Sequence, residues 1–222
     1  MIKNTVFAAP DFSREREPEM RTGGMAAIFR QQPDLWGLFF MLAVANFHII
    51  TGNFGHSLPL IFLPDAVLSG QWYRLLTYPF VHISWYHMLL DAGAFFLLYT
   101  GLKETRIPVK LLYVGVCSAF SLLFAICCSP MIGTLGLCGL SGIAHGLMAI
   151  SALEMTGEPE HYHAGLISLL AVTGKSLYEI ISGNVLFGFL QLGLCGTPMA
   201  ACHFGGVIGG VLIFGMMGKR EN

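Results

Sequence analysis

The chain has 222 residues, 55% of them hydrophobic and 11% charged, with a net charge of -1 and a mean hydropathy of +0.66. A soluble protein carries about twice that charged fraction, so the composition excludes an ordinary soluble domain and describes a chain whose main solvent is lipid. The near-neutral balance gives no sign of a nucleic-acid partner.

Residues 1–30 are polar and include the charge run "DFSREREPEMR", where a cleavable signal would need its apolar core; a solvated tail is expected. Apolar runs then follow at 35–51, 85–102, 109–127, 164–182 and 199–217, with a shorter one at 141–153. A helix needs about 20 residues to cross hydrocarbon, and only helices or closed barrels satisfy every backbone group there. No ten-residue alternating segments suggest a barrel, so the fold class is all-α, a polytopic bundle of six helices. The expected organisation is a tail (1–34), one membrane domain (35–218) and a short C-terminus (219–222). A cytoplasmic N-terminus leaves Lys3, Arg14, Arg16, Arg21, Arg30, Lys103, Arg106, Lys110, Lys219 and Arg220 inside and only Arg74 outside, a clear positive-inside bias.

Six cysteines lie in or beside the apolar runs without the paired spacings of a zinc site or a disulfide scaffold, and read as small packing residues. Cys138 and Cys195 both fall in outer loops, which leaves a disulfide between them open. His161 and His163, on an inner loop, read as solvated. Neither a metal nor a cofactor is expected.

Ionisable residues inside a bilayer are expensive and need a structural or functional reason. Here they are Asp91, His87, His145, Lys175, Glu179 and His203, with His82 and Arg74 in the preceding loop. Lys175 and Glu179 stand four residues apart, on one helix face, as a buried ion pair would. The stretch "GLCGLSGIAHG" opens the short helix at Ser141. That run rises roughly 20 Å against about 30 Å of hydrocarbon, so Ser141 is expected at a helix N-terminus below the outer surface. Irregular backbone at that depth must line a water-filled cavity. A serine there, among free amides able to hold an oxyanion, is half of a hydrolase site.

A nucleophilic serine also needs a base. His203, which opens the last helix in "HFGGVIGG", is the better candidate. His145 lies one turn along the serine's own helix and reads as packing, and His87 opens the second helix. The glycines read equally as a small-xxx-small packing face.

These residues together resemble the rhomboid intramembrane serine proteases over residues 35 to 218. "GLSG" matches that family's G-x-S-G, "HFGGVIGG" its H-x-x-G-x-x-x-G, "HISWYHMLLD" its H-x-x-x-x-H-x-x-x-N, and "GQWYR" its Trp-Arg loop element. "SGQWYRLL", "GLSGIAHGLMAISAL" and "GKSLYEI" are most similar to the rhombosortase branch. The resemblance implies a cut near the glycine-rich C-terminal tail, called GlyGly-CTERM, of exported bacterial proteins. It implies a multi-pass protein of the bacterial inner membrane whose partners are membrane-anchored substrates and the bilayer. It makes Ser141 the nucleophile and His203 the base of a dyad without an acidic third member. His87, the Ser141 amide and position 91 form the oxyanion set, beside Gly139.

The sequence departs from the pattern at Asp91, where the family has Asn. An amide donates to an oxyanion and an ionised carboxylate repels one, so Asp91 is expected to act as a protonated donor. The nearest rivals are a general rhomboid protease acting on other single-span substrates and a rhomboid-like pseudoprotease that binds transmembrane segments. A transporter or haem protein would account for Lys175, Glu179 and the histidines but leave the serine helix unexplained.

Overall fold

The computed structural model describes residues 32–52, 58–186, 193–195 and 199–218. Most of the expected tail and the expected C-terminus lie outside them. The chain divides between Gly37 and Leu38, and the membrane helices belong to the second part, apart from the start of the first helix. The chain runs through α1 (Pro33–Ala45), α2 (Phe47–Thr51), a 3-10 turn (Leu58–Leu60), α3 (Pro64–Leu68), α4 (Arg74–Thr77) and a second 3-10 turn (Tyr78–Phe80). It continues through α5 (Trp85–Gly101), α6 (Ile107–Cys128), α7 (Ile132–Leu135), α8 (Ser141–Thr156), α9 (Tyr162–Ser182) and α10 (Ala200–Gly218). The only strand-like pairing among the described residues is the single bridge between Phe62 and Leu137.

Helices occupy all six expected stretches, but their lengths do not carry the six-span count. Among the described residues three helices, α6, α9 and α10, are long and apolar enough to cross a membrane, or up to four if the pair Arg74–Phe80 and Trp85–Gly101, bent by 96°, is one span. The expected 35–51 helix breaks at Asn46. Its Nδ2 donates to the carbonyls of Leu42 and Phe80 at 2.7 and 2.6 Å, while its Oδ1 accepts the His82 amide at 2.8 Å. A side chain that captures a passing loop competes with the helix for its own backbone.

Helix α8 sits at the centre and packs against α5, α6, α9 and α10. Its crossing with α10 is a backbone contact. A Cβ on Gly206 would collide with the Gly142 carbonyl, one on Gly210 with that of Gly146, and one on Gly146 with that of Gly206. On the neighbouring face, Gly205 and Gly209 meet the backbone carbonyls of Phe120 and Val116 in α6. The doubled glycines of "HFGGVIGG" therefore press one helix against two others, as small residues do where lipid gives no hydrophobic drive to association. Gly206→Val is expected to destabilise the fold by about 3 kcal/mol or more, whereas Gly115→Ala, with nothing within 4 Å of the new Cβ, should be close to neutral. Thermal unfolding of both variants in one detergent checks the difference.

At the far end of α8, Lys103 closes the helix. Its Nζ donates to the Glu154 carbonyl at 2.8 Å and pairs with Glu158 at 2.8 Å, as a cation at a helix C-terminus should. The Lys103 ammonium against Glu158 holds that carboxyl below its ordinary pKa.

Candidate active site

The segment before α8 is shaped by glycine at two points. Gly136 (φ 70°) turns the chain against the Phe62 carbonyl, and Gly139 (φ 100°) passes so near the Asp91 and His87 side chains that a Cβ would strike both. Left-handed backbone and close approach each require glycine. The chain then enters α8 at Ser141 with no side-chain cap from Leu140.

The free amide at that helix start is met from another helix. Ser141 N–H donates to Asp91 Oδ2 at 3.1 Å. The same oxygen lies 3.2 Å from His87 Nε2 and 3.5 Å from His82 Nε2, and the two imidazoles pack edge to face at 4.9 Å. His87 is set in place by Ser84, which caps α5 by accepting the His87 amide at 3.0 Å, a common N-terminal device. Ser84 in turn donates to the Leu194 carbonyl. In this resting arrangement the Asp91 oxygen nearest the nucleophile accepts, and donation to an oxyanion belongs to the reacting enzyme. The reason is local: the positive end of α8 and two ring nitrogens attract an anion. His82, to which the sequence assigns no role, is fully buried beside Asp91.

On the opposite side lies a second polar cluster. His203 Nδ1 donates to Glu179 Oε2 at 2.7 Å. Lys175 Nζ pairs with Glu179 Oε1 at 2.8 Å and donates to Oε2 at 2.9 Å, and the Leu186 amide donates to Oε1 at 2.9 Å. The expected contact between Lys175 and Glu179 is present, within a larger network. Lys175 also donates to His145 Nε2 at 2.7 Å, His145 Nδ1 donates to the Ser141 carbonyl at 2.7 Å, and the His145 and His203 rings stack at 4.1 Å with 10° between their planes. His145, read from sequence as packing, thus joins the serine to the base. The resemblance implies no acidic third member, yet Glu179 holds His203. Spacing along α9 could not show this, because the partner is 24 residues away on another helix.

Between the two clusters is a cavity of ~380 Å³ lined by Ser141, His203, His87, Asp91 and His145 together with apolar side chains such as Leu90 and Met199. Cys138, Cys195 and Cys202 also face it, all with free thiols. Ser141 and His203 therefore open on one space, and the hydrogen bond that fixes His203 runs to Glu179. Catalytic hydrogen bonds are often long or unformed before substrate binds. His145, Glu179 and His203 offer ligand atoms within 4.8 Å of one another, but the Lys175 ammonium already bonds two of the three, a hydrogen-bonded network rather than an open metal site.

Arg74 of "GQWYR" is buried and structural. It donates to the Gln71 side chain at 2.8 Å and to the Ile61 carbonyl at 2.5 Å, tying together the loop before α5. His161, at the start of α9, and His163 are exposed.

The family model described as the Rhomboid domain matches residues 69–220. No curated protein and no solved structure matches the chain. The match takes in the loop of Arg74 and every side chain around the cavity, well over half of the sequence, and the chain belongs to the rhomboid family, whose members are generally intramembrane serine proteases and in some cases inactive relatives.

Proposed function

We propose that this protein is an intramembrane serine endopeptidase of the rhombosortase kind. It cuts exported bacterial proteins near a glycine-rich C-terminal membrane tail, from the outer side of the inner membrane and with its N-terminus in the cytoplasm. The observation that carries the reading is the cavity shared by Ser141, at the start of α8, and His203. His203 Nε2 takes the Ser141 hydroxyl proton as Oγ attacks the scissile carbonyl carbon. His87 and the Ser141 amide donate to the resulting oxyanion. The protonated His203 then gives its proton to the leaving amine, and water, deprotonated by the same ring, releases the acyl group from Ser141. The branch assignment leans on "GLSGIAHGLMAISAL" and "GKSLYEI", and the orientation on the distribution of Lys and Arg.

The contact between Asp91 and the Ser141 amide favours one other reading, a rhomboid-like pseudoprotease that binds transmembrane segments without cutting them. The two part in one experiment in the source cells. With Ser141→Ala in place of the parent chain, exported proteins that normally lose a glycine-rich C-terminal tail are expected to keep it, as intact-mass analysis would show. Identical tails in the two strains would overturn the protease assignment.

A further inference from the structure

We infer that Glu179 is the positioning acid of His203, and that Lys175 and His145 complete a network holding the base in one tautomer and one plane. The inference rests on the serine protease reading and adds to it a residue that a two-member mechanism lacks.

The hydrogen bonds determine the protons. A carbonyl only accepts, so His145 Nδ1, at 2.7 Å from the Ser141 carbonyl, carries hydrogen. An ammonium only donates, so His145 Nε2, at 2.7 Å from Lys175, carries none. His145 is therefore a neutral imidazole with a single tautomer. Glu179 is fully buried and surrounded by donors: Lys175 on both oxygens, the Leu186 amide on one and His203 on the other. A buried carboxylate with such a shell is ionised and accepts only. His203 must then carry its hydrogen on Nδ1, which leaves the Nε2 lone pair as the one basic site on a ring that lines the cavity with Ser141.

Each remaining member removes a freedom from that ring. Glu179 fixes its tautomer and its rotation in plane, and the parallel face of His145 fixes the plane. Lys175 locks His145, whose Nδ1 is tied to the backbone of the nucleophile itself. The base is thereby referenced to Ser141 through side chains from three helices, α8, α9 and α10. When His203 accepts the serine proton, its new charge lies against the Glu179 carboxylate, the role an acid plays behind a catalytic histidine.

The test uses the full chain in lipid nanodiscs, with histidine labelled by nitrogen-15. A far-downfield imidazole proton coupled to His203 Nδ1 is expected in the parent and in Ser141→Ala, and should vanish in Glu179→Gln. In the same preparations, cleavage of a quenched peptide bearing a glycine-rich membrane tail should lose about 10³-fold or more of kcat in Glu179→Gln, with KM nearly unchanged. Glu179→Asp, which keeps the charge, should recover at least about tenfold of that loss. A merely structural Glu179 would lower the folded fraction without this split. If Glu179→Gln does not fold, the parent spectrum alone decides, because absence of the proton there overturns the inference. A folded Glu179→Gln that keeps its kcat within about threefold also overturns it while leaving the protease reading intact. A parent chain that cleaves no faster than Ser141→Ala removes both.

Discussion

Ser141→Ala and His203→Ala are each expected to lower cleavage of a tailed peptide by about 10⁴-fold or more, and the double variant to be no worse than either. Residues that act as one unit are not additive, since losing the nucleophile leaves the base nothing to deprotonate. What survives should be the weak rate due to the oxyanion donors and to binding alone. His145→Ala should fall much less, because its ring touches the base and the Ser141 carbonyl but exchanges no proton with substrate. Single-turnover cleavage in detergent, with thermal unfolding as a check on folding, gives the ranking. A dead His145→Ala beside an active His203→Ala would reverse the assignment of the base. Labelling by a fluorophosphonate separates the two members further. Ser141→Ala has no atom to label, whereas His203→Ala keeps the hydroxyl and should react slowly.

The features legible in the sequence are those written locally along a helix. Apolar runs place helices in all six expected stretches, and the glycines around Ser141 announce both a helix start there and a close crossing with α10. Four-residue spacing brings Lys175 to Glu179 and Asp91 to His87. The illegible features depend on which faces meet. Glu179 looks satisfied by Lys175 on its own helix, and only the packing of α9 against α10 brings His203 to its second oxygen. His82 lies in a loop whose path is set by the Asn46 side chain, 36 residues earlier, and no periodicity reports such a contact. That helix lengths alone do not carry six spans has a related reason. Hydropathy runs on smoothly through 35–51, but one buried asparagine that prefers a loop to its helix ends α1 early.

Asp91→Asn is expected to raise kcat/KM by about tenfold or more, and Asp91→Ala by a smaller factor. In the proposed mechanism the oxyanion needs the place that Asp91 occupies in the resting protein, since Oδ2 takes the Ser141 amide and lies against His87. These are the donors on which the proposed reaction depends. A substrate carbonyl must displace Asp91 from them and then develop negative charge beside it. Asparagine removes the charge and supplies a donor of its own, and alanine removes the charge alone. One oxyanion donor is worth about 10² to 10³ in rate, so releasing and adding donors produces a gain well above assay error. The alanine variant separates this account from the sequence expectation. A neutral, donating Asp91 would be lost on truncation, and Asp91→Ala would then slow the enzyme. A third role, in which Asp91 orients His82 and His87 within the active fold, predicts that both variants lose activity together, with their unfolding temperatures lowered in step. Rates and unfolding temperatures of the parent and both variants, measured on one peptide in one detergent, distinguish the three. The order Asn above Ala above Asp identifies Asp91 as the occupant of its own enzyme's oxyanion site, and a fall in both variants would sink that account.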